Sequence, residues 1–263
     1  MSTAVLIPLV LALFAAAPAA PLAPRVEDEA PADPRAADLP ELERSEVTTL
    51  LGTHKKEWRS AAREPAQRVT LLKGLAKGRS VEISKEIKKA LKDKDKSVRI
   101  CAIRMLGTQR DDEAKKALAA VAKPGRRIDV YAVSEAIRSL GYTGYDGKSY
   151  AQFQKLFYQH PNKDIRRAVI GAVGRQKDPR AFSLLVSVLD QPNPTNPNAA
   201  DAQPPSYWKS KYDEWILYKD DVIVAIAELS GRKFYNSETA LDWAQEKGKE
   251  KGIKIERMPN PWE

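Results

Sequence analysis

The chain has 263 residues, of which 43% are hydrophobic, 30% charged and 7% aromatic, with a net charge of +9. This composition excludes collagen-like, disulfide-scaffold and wholly disordered classes and is sufficient to bury a core. A single cysteine, Cys101, excludes an intramolecular disulfide, and the two histidines, His54 and His160, form no metal site recognisable from spacing, so no metal or cofactor is expected.

The first 24 residues carry no charged side chain, and Val5 to Ala17 is apolar over the length of a signal-peptide core, short for a membrane span. A signal peptide over 1–19 is expected, with cleavage after Ala19, because Ala17-Pro18-Ala19 places small residues at the first and third positions before the cut. The absence of Lys or Arg near the start keeps an uncleaved anchor as the alternative, and only then would the chain contact a membrane. Residues 20–41 are rich in Pro, Ala and acids without helical periodicity and are expected to be a disordered linker. Between Arg25 and Glu46 eight acids face three arginines, a local charge of −5, so the rest of the chain carries +14. Export without a disulfide pair fits a bacterial periplasmic or extracellular protein.

Helix pairs follow. Residues 44–63 and 66–76 make a first, irregular pair, with Trp58 expected to cover the open end. After it, a motif recurs: AIRMLG at 102–107, AIRSLG at 136–141 and VIGAVG at 169–174, at shifts of 34 and 33. Each copy has three- and four-residue apolar spacing and ends in Gly, read here as the left-handed residue that closes a helix. Ahead of these second helices lie amphipathic first helices at Ile83, Ile87, Ala90 and Leu91; at Ala114, Leu118 and Val121; at Phe153, Leu156 and Phe157; and at Phe182, Leu185, Val188 and Leu189. The turns are DKDKS at 93–97, KPGRR at 123–127 and HPNKD at 160–164. A proline-rich insertion is expected over 191–206. Beyond it, one helix or two from 207 to about 229 places Trp208, Tyr212, Trp215, Ile216, Val222, Ile223 and Ile226 on one face. A capping helix starts at Ser237, read as its N-cap, and 251–263 form a tail.

ALKDKDKSVRICAIRMLG at 90–107 resembles the HEAT-repeat family, including the lyase-type HEAT-like repeats of bacteria, with looser copies in HPNKDIRRAVIGAVG and at 128–141. The resemblance implies an all-α solenoid of about five stacked antiparallel hairpins over 42–250 with a C-terminal capping helix. It also implies that the Arg after Val98 or Ile165 pairs with turn acids such as Asp93, Asp95 or Asp164.

Chemistry is sparse. GYTGYDGKS at 141–149 lacks phosphate-loop spacing and reads as an inter-repeat loop packed by Tyr142 and Tyr145, and DKDKS lacks the Gly and Glu of a calcium loop. Cys101 reads as a small buried hydrophobe, and both histidines as solvated. No catalytic residue is expected.

The expected function is therefore a non-catalytic scaffold or adaptor that binds another protein, or an acidic peptide segment, through a concave face lined by second helices. One alternative is a polyanion or anionic surface held by the basic body, with nucleic acid disfavoured by export. The other is a lyase-type enzyme, on family analogy alone. KEIKKALKDKDK at 85–96 reads as a solvated lysine face. Superposing the repeats aligns Arg99 with Arg166, and Arg104 with Arg138, with Arg167 adjacent. Arg104 and Arg138 lack an evident local partner in the sequence, which makes them, with Arg167, the candidate binding residues.

Overall fold

The computed structural model describes residues 33–123, 129–193, 203–259 and 261–262, all within one compact unit, Asp33–Glu263. The expected signal peptide, most of the linker and most of the KPGRR turn lie outside the described residues.

Eleven α-helices occur among the described residues, and no strand. They form five antiparallel hairpins and a cap: α1 Arg44–Ser60 with α2 Pro65–Leu75, α3 Val81–Lys89 with α4 Lys96–Leu106, α5 Asp112–Val121 with α6 Val130–Thr143, α7 Gly147–Gln159 with α8 Lys163–Arg175, α9 Phe182–Val186 with α10 Pro205–Ser230, then α11 Ser237–Lys247. Most starts share one device, an Asp, Asn or Ser side chain accepting from the backbone N–H groups of the first turn. Ser80 caps α3, Asp95 α4, Asp111 α5, Asp129 α6, Asp146 α7, Asn162 α8 and Asn236 α11. The acids of DKDKS are thus occupied by capping and by Arg68, which pairs with Asp93. The cap of α11 is Asn236, one residue before the expected Ser237, whose own backbone N–H donates to Asp190 Oδ1 at 2.8 Å.

Second helices stack directly on one another, α2 on α4, α4 on α6, α6 on α8 and α8 on α10. The core lies between the two helix layers, where Ile83, Ile87, Leu106, Leu118, Ile137, Leu140, Phe153, Phe157, Ile165 and Val169 are buried. Two of the three repeating glycines, Gly141 and Gly174, serve this stacking. None of the three is left-handed: Gly107 ends α4 with φ −60°, and Gly141 and Gly174 are helical. A Cβ on Gly141 would stand 2.8 Å from Ala172 Cα of α8, and one on Gly174 2.9 Å from Ala225 Cα of α10. The left-handed residues lie three positions further on, at Arg110, Gly144 and Lys177 with φ of 51°, 90° and 49°, and they keep the same period.

Four other expectations are corrected. The linker does not run to 41. Residues 33–41 are packed, and Leu42 N–H and Arg79 N–H pair with Arg79 and Pro40 carbonyls at 3.1 and 2.8 Å. Composition concealed this because ion pairs and backbone bonds, in place of periodic apolar burial, hold the segment. Residues 205–230 form a single helix, starting inside the expected insertion, and its buried face carries Tyr218, Val222, Ala225 and Ile226, whereas Tyr212 and Ile216 are exposed. His54 is buried, not solvated, with its ring centroid 5.2 Å from Trp58. The tail returns over the last hairpin: Glu256 N–H donates to Ser183 Oγ at 2.9 Å, and Trp262 stacks on Tyr218 at 6.3 Å.

Candidate functional site

The candidate arginines all lie on second helices, but each has a partner within the chain. Arg99 and Arg166 occupy equivalent places and do equivalent work. The Arg99 guanidinium donates to the carbonyls of Asp93 and Lys94 at 2.9 and 3.0 Å, and Arg166 Nε donates to the His160 carbonyl at 3.0 Å. Both tie the turn to its helix through backbone oxygens, so the expected pairing with turn acids is corrected. Arg166 also reaches Glu214 of α10 at 2.7 Å.

Arg104 and Arg138 meet on one carboxylate. Glu135 of α6 is 4% exposed; Arg104 Nε donates to its Oε2 and an Arg138 guanidinium nitrogen to its Oε1, both at 2.9 Å. A third arginine, Arg35, reaches Oε2 at 3.2 Å. Burial would push the Glu135 carboxyl up, but the Arg104 hydrogen bond and the charges of Arg35, Arg104 and Arg138 hold it below its ordinary value. Arg104 also donates to the Tyr131 hydroxyl at 2.6 Å. Arg138 has a local partner after all, Glu135, three residues back on its own helix, which corrects the expectation that it lacks one; the link to Arg104 is hidden by the 31 residues between them, and the cue in the sequence was a lone acid on the otherwise apolar and small face of AVSEAIRSLG.

Arg167 pairs with Asp221 of α10. Beside it, Arg138, Arg167, Arg175, Gly171, Asp221, Val224 and Glu228 line a groove of about 420 Å³ between α8 and α10. Val224 is 55% exposed there. Gly171 keeps the floor low, and Arg175 lies over the Tyr142 ring at 4.7 Å. The groove therefore offers fixed charges of both signs around an apolar patch, suited to binding and lacking any nucleophile with an activating base.

Elsewhere, Cys101 is buried and burial pushes its thiol up, the reverse of a reactive thiolate. His160 Nδ1 accepts from Asn162 N–H at 3.1 Å as part of a turn. Tyr145 donates to Asp178 Oδ2 at 2.9 Å, and Asp146 caps α7, so the loop expected over GYTGYDGKS is corrected to residues 144–146, the flanking residues belonging to α6 and α7. No group of three metal-ligating side chains occurs among the described residues, and no described helix is long and apolar enough to cross a membrane.

No curated protein is similar enough to this chain to count as a match. Residues 126–201 match the family model for HEAT repeats, a stretch that spans α6 to α9. Residues 126–201 are thus similar to HEAT repeats, and with the stacked hairpins that flank them they form an all-α, HEAT-like solenoid.

Proposed function

We propose that the chain is a non-catalytic scaffold that binds another protein along its second-helix face, within the envelope or exported space of a bacterium. HEAT repeats generally mediate protein–protein interaction, and the observation that carries the reading to one place is the groove between α8 and α10, with exposed Val224 ringed by Arg138, Arg167 and Glu228. An apolar anchor inside a charged rim is the usual anatomy of a protein-binding patch. The polyanion reading has less support, since the row arginines are matched by Glu135, Glu214 and Asp221.

Capture from an envelope fraction by the immobilised full chain tests this. A protein retained by the wild type and lost by Val224→Glu at unchanged melting temperature supports the groove; equal capture by both refutes it. Export rests on the apolar first 24 residues, and an amino terminus at Ala20 in the mature protein is the expected outcome. A retained Met1 would refute cleavage.

A further inference from the structure

The tetrapeptide Asp-Pro-Arg-Ala occurs twice, at 33–36 and 178–181. Both copies fold into the same 3-10 turn. Arg35 and Arg180 each donate a backbone N–H to the Asp two residues earlier, at 3.0 and 3.1 Å, and each Nε donates to that same carboxylate at 2.8 Å. The copy at 178–181 sits between α8 and α9 and leads straight into α9. The copy at 33–36 leads into no helix, and lies against α4 and α6.

What it does there departs from the other junctions. Between α6 and α8, and between α8 and α10, a glycine closes directly on an alanine of the next second helix. Between α4 and α6 the stem of Arg35 fills that place: a Cβ on Gly107 would stand 2.7 Å from Arg35 Cδ. The guanidinium continues inward to Glu135 Oε2 at 3.2 Å and Ser139 Oγ at 3.3 Å, and lies 5.2 Å from the centre of the Tyr142 ring. The Arg35 side chain is 8% exposed, and Asp33 at the rim accepts from the Tyr142 hydroxyl at 3.4 Å. This is a built pocket: a small-residue floor, a buried carboxylate, a hydroxyl and an aromatic wall, all suited to arginine. The chain behind the turn is held separately, through Asp38 to Arg79 and Arg110 and through the pairing at Arg79, so the turn can leave without releasing α1.

We propose that the α4–α6 junction is a receptor for an Asp-Pro-Arg turn, filled in cis by residues 33–36, and that a partner presenting such a turn binds there by displacing them. The proposal rests on the second-helix face being a protein-binding face, but places the anchor at Glu135 and not at the Val224 groove. It also sets the partner's chemistry: an arginine enters the pocket and an aspartate two residues earlier stays at the rim, so the ligand is zwitterionic and not simply acidic. The tethered copy competes at an effective concentration on the order of millimolar, so removing it unmasks the site.

The test uses a fluorescein-labelled peptide of residues 30–41 and the full chain, read by fluorescence anisotropy. Arg35→Ala in the protein is expected to tighten peptide binding at least about tenfold over the wild type. A peptide whose own Arg35 is changed to Ala is expected not to bind. Arg35→Gln, which keeps the stem over Gly107, replaces Arg35→Ala if the latter lowers the melting temperature. Equal binding to wild type and variant, or binding independent of the peptide's arginine, overturns the proposal. Val224→Glu in the Arg35→Ala background should leave peptide binding intact, so failure of the groove and failure of the receptor give different results.

Discussion

Two helical glycines offer a direct measure of how tightly the second helices are stacked. Gly52 of α1 has nothing within 4 Å of where a Cβ would stand, whereas a Cβ on Gly174 would lie 2.6 Å from Ala225 Cβ and 2.9 Å from Ala225 Cα. Alanine is favoured over glycine in a helix by about 1 kcal/mol, so Gly52→Ala should stabilise by most of that. Gly174→Ala gains the same local preference but must push α8 from α10, and overpacking of this kind costs ~1–3 kcal/mol. The difference between the two variants is then the stacking clash itself. For a unit of this size 1 kcal/mol moves the melting temperature by roughly 2–4 °C, so thermal melts followed by circular dichroism at 222 nm should place Gly174→Ala at least about 2 °C below Gly52→Ala. Ala225→Gly added to Gly174→Ala should recover only part of the loss, since the Ala225 backbone remains in the way. If Gly174→Ala melts with or above Gly52→Ala, the glycine period has nothing to do with close approach.

Leu106→Asp or Leu140→Asp places a carboxylate where exposure is 0% and 1%, and each should abolish cooperative melting at neutral pH. Glu135→Ala removes the acid shared by Arg35, Arg104 and Arg138 and should cost on the order of 1–3 kcal/mol in urea unfolding, because Arg35 loses its inner partner but keeps Asp33, and Arg104 and Arg138 are partly exposed; Arg104→Glu and Arg138→Glu should lose stability as well, and unchanged melting would remove the structural role of the cluster. Burial lowers the His54 pKa from its ordinary 6.5, so its neutral form is favoured by folding: stability should be full above pH 6.5 and decline as the pH falls below it. His54→Phe should flatten that part of the stability profile, and an unchanged slope would refute the assignment.

The hairpins were legible because their signal is local. AIRMLG, AIRSLG and VIGAVG carry the period in contiguous residues, and each turn brings its own capping Asp, Asn or Ser. The same glycines were visible for the wrong reason: a Gly at the end of a helical run fits a left-handed cap, and only the neighbouring α-helix shows that the missing Cβ is needed for contact with Ala172 or Ala225. The site was less legible because its chemistry is distant in sequence. Only the Arg138–Glu135 pair is local, three residues apart on α6; Arg104 lies 31 residues and Arg35 100 residues from Glu135, and Arg35 sits in a stretch whose proline and acid content reads as linker. The sequence does not separate buried Tyr218 from exposed Tyr212 and Ile216, because a wide apolar face on a long helix does not say which edge the preceding repeat covers.

The return of residues 253–259 and Trp262 over the last hairpin constrains the order in which the protein can acquire its structure during synthesis. Repeats two to four are made of contacts between neighbours in sequence and can close as each hairpin is completed. The fifth cannot. Ser183 waits for Glu256, the Tyr207 hydroxyl donates to the Trp262 carbonyl at 2.7 Å, and the Tyr218 ring waits for Trp262. The Tyr207 and Tyr218 rings at that end of the stack therefore lack this cover until Trp262 has been made, and a truncation before Ile253 would keep the earlier hairpins while leaving α9 and α10 without their lid.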